Sequence, residues 1–350
     1  MPDIRQKLGR RDFLKGLTLL GGTALLASLL PACLRPDMPQ DVIKEETAMT
    51  KVSLVRTTDR TEGVRKAIEL LNFNPVAGKN VVLKPNFNTA DPAPGSTHND
   101  TLRSLVLTLK EMGAASITLA ERSGPSDTTR NIMEQKGIPA MAGELGFEIL
   151  NLQEMGEEGW VKVRPADSHW KDGFLFPRIY TDAECIVQTC CLKTHQFGGH
   201  FTMALKCSVG MVPPGLGPGG KYPFMNELHR SPFQRQMIAE INTAYTPDLV
   251  VMDGVEAFVD GGPHVGTRVN ANVILADTDR IANDAVGVAI LRLLGTTPEV
   301  SRGQVFEQDQ IVRAVELGLG VTSPDRIELV TGDAGSEDFA RQVRGELLKT

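Results

Sequence analysis

Three lysines and a histidine carry the clearest chemical signal in this chain. Lys84 ends the apolar run Val81-Val82-Leu83, and Lys193-Thr194-His195 follows Cys190-Cys191-Leu192, with Lys206 close behind. A lysine ammonium is a compact positive charge suited to phosphate or carboxylate. Asn86 stands two residues after Lys84 and adds a neutral polar partner. His195 is placed to transfer a proton or to act as a ligand. Asp253 and Glu256 follow another apolar run; with His195 they would hold a divalent metal, or Asp253 would orient a lysine. Lysine and metal together suit a site that polarises an anionic substrate.

The elements that must position these groups follow from hydrophobic periodicity. Short apolar strands are expected at 51–56, 79–84, 116–120, 147–152, 185–192, 248–252, 271–276 and 326–330. Amphipathic helices are expected between them: 61–71, one capped by Asp100 and ending at Gly113, 128–136, 139–145, one near 201–209, one opening at Ser231-Pro232, one from Thr278 or Asp279 to Leu294, and one near 306–317. Residues 153–173 read as irregular. Residues 210–230, rich in Gly and Pro, read as a long loop that would serve as a lid. This alternation predicts an α/β fold: a mainly parallel sheet with helices on both faces and Rossmann-like layering. Ligands of such sheets bind beyond the carboxyl ends of the strands. The lysines, His195 and Asp253 are therefore expected to converge on one edge.

Five blocks occur in order: Leu83-Lys84-Pro85-Asn86, Thr97-His98, Leu192-Lys193-Thr194-His195, Ala204-Leu205-Lys206, and Asp253-Gly254 through Gly261-Gly262-Pro263. Together they resemble the DUF362 family over roughly residues 79–295. The resemblance implies an α/β domain with a shared site, and it adds Thr97 and His98 to the ligand-binding set. Some members of that family carry a ferredoxin-like iron–sulfur domain. This chain has five cysteines, Cys33, Cys185, Cys190, Cys191 and Cys207, and no C-x-x-C spacing, so such a cluster is not expected. Cys185, Cys190 and Cys191 read as buried strand thiols.

The N-terminus carries an address. Arg10-Arg11 precedes Phe13-Leu14-Lys15 and an apolar run of about 15 residues, shorter than the roughly 20 that span a membrane. The pair resembles a twin-arginine export signal, whose cargo folds in the cytoplasm before export. Leu30-Pro31-Ala32-Cys33 resembles a bacterial lipobox with Cys33 as the lipidated residue, although Pro31 stands where a small residue is usual. Simple cleavage nearby is the alternative. The expected organisation is an export signal over 1–33, a polar tether over 34–50 and one α/β domain over 51–350. The expected location is the outer side of the bacterial cytoplasmic membrane, held by lipid.

Residues 1–33 carry a net +3, so the remaining 317 or so residues are about −9 where the whole chain is −6. An acidic domain with 5% aromatics and no basic block argues against nucleic acid as a partner. The sequence therefore points to an exported, lipid-anchored protein with a Lys/His/Asp site for a small anionic molecule. A divalent metal is a possible cofactor, in which case the protein is a metal-assisted enzyme. The alternative is a non-catalytic binding or accessory lipoprotein for a small molecule or redox partner. The other partners expected are the membrane and the export machinery.

Overall fold

Runs of aliphatic residues with buried faces build eleven strands. They are β1 (Thr50–Arg56), β2 (Asn80–Lys84), β3 (Ser116–Glu121), β4 (Glu148–Asn151), β5 (Trp160–Val163), β6 (Phe174–Pro177), β7 (Cys185–His195), β8 (His200–Thr202), β9 (Leu249–Gly261), β10 (Gly266–Asp277) and β11 (Ile327–Val330). The computed structural model describes residues 49–215 and 223–349. The export signal, Cys33 and the expected tether up to residue 48 lie outside the described residues, and Thr50, the tether's expected last residue, already belongs to β1.

Nine strands form one sheet in the order β11-β1-β10-β9-β7-β2-β3-β4, with β8 added beside β7; β5 and β6 form a separate hairpin. In the large sheet β10 runs against β1 and β9, and β8 runs against β7. The remaining pairings are parallel. The fold is thus α/β with a mainly parallel sheet, as the alternation of strands and helices implies. Strand β7 lies between parallel neighbours β2 and β9, and all eleven of its residues are buried. A strand covered on both faces needs a near-continuous apolar run, which Cys185-Ile186-Val187 and Cys190-Cys191-Leu192 supply.

Helices cover both faces. Helices Arg60–Leu70, Asn99–Glu111, Thr129–Gln135 and Ile138–Leu145 pack on Leu83, Leu119, Val187 and Val251. On the other face, helices Arg280–Leu293, Asp309–Glu316 and Ala334–Leu347 pack on Val52, Leu192, Met252 and Leu275. The β5–β6 hairpin and helix Gln234–Ile241 complete that face over Val82, Ala120 and Ile186 with a cluster of Trp170, Phe174, Phe176, Tyr180 and Tyr245.

Several elements differ from the sequence reading. Residues 160–177 hold a hairpin rather than an irregular insertion. The 201–209 stretch is divided between β8 and a single helical turn, Ala204–Cys207. Part of the 210–230 loop is helix Phe224–Arg230, while 216–222 lie outside the described residues. His98, not Asp100, caps helix Asn99–Glu111, because His98 Nδ1 accepts the Asp100 backbone N–H at 3.1 Å. Asp279 caps helix Arg280–Leu293 through the N–H groups of Ile281 and Ala282, at 2.8 and 3.1 Å.

The largest difference is β9. The sequence reading stops this strand at Met252, yet it runs on to Gly261, because Val255, Ala257, Phe258 and Val259 keep it buried past an irregularity in the ladder with β7. Gly261 and Gly262 then take positive φ angles of 76° and 77° and turn the chain into β10. Gly262 also lies against the Thr194 carbonyl, where a Cβ would collide with it.

Candidate functional site

Strands β2, β3 and β7 are parallel neighbours and end at one edge of the sheet. Lys84 and Glu121 are the last residues of β2 and β3, and Lys193-Thr194-His195 closes β7. A cavity of about 1060 Å³ opens at this edge. Its walls include Lys84, Asn86, Glu121, Arg122, Lys193, His195 and Lys206. Five of the site residues expected from sequence are thus brought together, and Glu121 and Arg122 join them.

Lys84 and Glu121 form a closed pair. The lysine Nζ lies 2.8 Å from the Glu121 carboxylate and donates to the Pro85 carbonyl at 2.6 Å. Each residue is 1% exposed. Glu121 also accepts the backbone N–H groups of Phe87 at 3.0 Å and Arg122 at 2.8 Å. Burial works against the Lys84 ammonium, but Cys207 and Glu121 outweigh it and raise its pKa. Gly210 packs against this pair; a Cβ there would lie 3.0 Å from a Glu121 oxygen and 3.1 Å from Lys84 Nζ.

Lys193 is fully buried and donates to Asn86 Oδ1 at 3.0 Å and to the Gly95 carbonyl at 2.6 Å. Its acceptors are neutral, and burial lowers its pKa. Thr97 does not line the cavity; its hydroxyl accepts the Asn86 N–H at 2.8 Å and so fixes the residue that holds Lys193.

Lys206 is 8% exposed, and its Nζ has no hydrogen-bond acceptor or ion-pair partner among the described residues. Burial first, and Lys193 second, bring its pKa down to about 7. The turn that carries it is fixed by Asp284, whose carboxylate accepts the N–H groups of Ala204 at 2.6 Å and Leu205 at 3.2 Å. His195 sits beside it. The Gly199 N–H donates to His195 Nδ1 at 3.3 Å, which leaves the ring proton on Nε2. Burial, then the charge of Lys206, lower the His195 pKa well below the ordinary range, so the ring is neutral.

Arg122 is the residue that sequence reasoning missed. It is 7% exposed and donates to the carbonyls of Ser123 at 2.8 Å and Val209 at 2.9 Å, while burial lowers its pKa to about 10. Its position directly after a strand-end carboxylate was the available signal. Its Nε, together with Ser123 Oγ and Thr202 Oγ1, is buried without a partner among the described residues, and all three residues line the cavity. Buried polar atoms are nearly always satisfied, so three orphans on residues that line the cavity mark unmet hydrogen-bonding capacity beside it. Among the described residues, four buried basic side chains, Lys84, Arg122, Lys193 and Lys206, line this cavity with one buried carboxylate, Glu121.

The expectations for Asp253, Glu256 and His98 are corrected, and the reading of the strand cysteines as buried thiols holds. Asp253 and Glu256 stand within β9 and do not line the cavity. Arg60 takes both, with Nε 2.8 Å from Asp253 and an NH2 group 3.1 Å from Glu256. The Thr101 hydroxyl adds 2.6 Å to Asp253, and Arg268 lies 3.2 Å from Glu256. They cannot serve a metal beside His195, and among the described residues no group of three His, Cys, Asp or Glu side chains could hold a metal ion. His98 is a helix cap outside the cavity wall. Cys185, Cys190, Cys191 and Cys207 are buried and unbridged, and burial raises the Cys191 pKa to about 12, so that thiol is inert. Among the described residues no helix is long and apolar enough to cross a membrane.

No curated protein matches this chain. Among solved structures, one similar chain is the lactate racemase apoprotein from Thermoanaerobacterium thermosaccharolyticum, at 13% identity and a TM-score of 0.39. The match covers 60% of this chain and 51% of that one, so this chain spans about half the length of that structure. The profile of the family described as a domain of unknown function, DUF362, matches residues 81–289, which takes in β2 through most of helix Arg280–Leu293 and every cavity lysine. With more than half of its length so matched, the chain belongs to the DUF362 family.

Proposed function

We propose that this protein binds a small anionic molecule in the cavity at the ends of β2, β3 and β7, and that it does so on the outer side of the cytoplasmic membrane. The observation that carries the reading is the surplus of buried cations. Four cationic side chains share one buried carboxylate, and a buried charge without a counter-ion is costly unless a ligand supplies one. Lys193 and Arg122 provide fixed charge, and Ser123 and Thr202 provide hydroxyls for the oxygens of a carboxylate or phosphate. Lys206, with its pKa brought down to about 7, supplies a group able to move a proton near neutral pH, which favours an enzyme over a simple carrier. The placement outside the cell rests on Arg10-Arg11 and Cys33.

Thermal unfolding of the full-length protein with phosphate, citrate or glyoxylate tests the binding. At least one is expected to raise the midpoint, and Lys193→Met is expected to abolish the rise. No rise with any of the three, or an equal rise in the variant, rejects the site. Cell fractionation tests the address: Cys33→Ala is expected to move the protein from the membrane fraction to the soluble exported fraction. Retention on the membrane rejects the lipid anchor.

A further inference from the structure

Resting on the anion-site reading, we propose that Lys206 is a covalent catalytic residue, whose amine condenses with the carbonyl of an aldehyde or ketone that also carries the anionic group. The geometry separates it from the other cavity lysines. Lys84 is held by Glu121 and the Pro85 carbonyl, and Lys193 by Asn86 and the Gly95 carbonyl. Lys206 Nζ lacks any such partner among the described residues and faces the cavity. A second cation beside a desolvated lysine is an arrangement that frees an amine lone pair at neutral pH, and Lys193 is that cation.

Glycine at position 199 keeps the histidine close. A Cβ there would lie 2.9 Å from Lys206 Cε and 2.8 Å from His195 Nδ1, so both side chains crowd the same point. The neutral imidazole keeps its Nε2–H available to donate to a carbonyl oxygen beside Lys206. In the step itself the Nζ lone pair forms an N–C bond and the carbonyl π pair moves to oxygen. That oxygen takes one proton shed by Nζ. The resulting carbinolamine expels it as water with the second amine proton, leaving a C=N bond. The condensation needs no oxidant or reductant.

The division of labour defines the substrate class. Arg122, Ser123 and Lys193 hold a carboxylate or phosphate, while Lys206 and His195 meet the carbonyl. The test is borohydride trapping on the full-length protein at neutral pH, with glyoxylate for the carboxylate arm and glycolaldehyde phosphate for the phosphate arm, followed by peptide mass mapping. The expected result is one reduced adduct on Lys206 with at least one probe, falling about tenfold or more in Lys206→Arg. The probe that labels identifies the anionic group. No adduct, or adducts spread over surface lysines, overturns the proposal. If glyoxylate raises the unfolding midpoint yet leaves no adduct, the covalent role fails and the anion site stands. If none of the probes raises the midpoint or labels Lys206, both fail.

Discussion

The protein holds two buried charge clusters built from the same residue types, and they are wired in opposite ways. Around Asp253, every charge has its counterpart: Arg60 spans Asp253 and Glu256, Thr101 fills the same Asp253 oxygen, and Arg268 closes on Glu256. That cluster ties the starts of helices Arg60–Leu70 and Asn99–Glu111 to β9. Around Lys206, among the described residues, only Lys84 has a carboxylate partner, and Lys193, Arg122 and Lys206 line the cavity. A saturated cluster stabilises a fold. An unsaturated one strains it, and the strain is relieved when a ligand arrives. Charge in the core therefore does not identify a site; unbalanced charge beside a cavity does.

This contrast can be broken by substitution. The largest loss is expected from Glu121→Gln, which leaves Lys84 buried among cations: about 3–5 kcal/mol, read by urea unfolding. Asp253→Asn should cost less, about 1–3 kcal/mol, because Glu256 still holds Arg60, and it should leave anion-induced stabilisation intact. Should Asp253→Asn abolish that stabilisation, the two clusters are one functional unit and the contrast is wrong.

For Lys206→Met the sign of the effect is the informative part. The folded Lys206 pKa of about 7 lies below its ordinary 10.5, so between these values the unfolded chain binds more protons than the folded one. Stability contributed by this group therefore rises with pH across that window. Removing the amine should flatten that rise relative to wild type and raise stability at pH 7 or below. Urea unfolding of both proteins at pH 6 and pH 9 measures it; a loss of stability at pH 6 in the variant would mean that Lys206 is paired after all.

The positions of most strands and the lysine-bearing edge were legible in the sequence because short aliphatic runs and their polar ends are local signals. Lys84, Lys193 and His195 stand where parallel strands end, and the sheet gathers them. Asp253 and Glu256 were misplaced for a local reason too. Asp-Gly suggests a turn, but Val255, Ala257 and Val259 carry the strand onward, and Arg60, almost 200 residues earlier, claims both carboxylates. Such long-range pairing leaves no trace in spacing. Asp277 also ends a strand, but β10 runs antiparallel to β9 and β1, so its carboxyl end lies at the opposite edge from the cavity. The C-terminal helix Ala334–Leu347 was absent from the sequence reading, although Phe339, Ala340, Val343 and Leu347 form its buried stripe.

The place of β1 in the sheet bears on the order of synthesis. This first strand lies between β10 and β11, and Ser53 Oγ donates to the Ala276 carbonyl across 223 residues of chain. A ribosome delivers β1 long before either neighbour exists. The strand must wait with both edges unpaired until almost the entire polypeptide has emerged, and pairings this distant in sequence form slowly. An export route that threads the chain from its N-terminus would carry β1 across the membrane while its partners were still inside. A route that moves the finished domain keeps all three strands in one compartment, and that is the route to which Arg10-Arg11 would assign it.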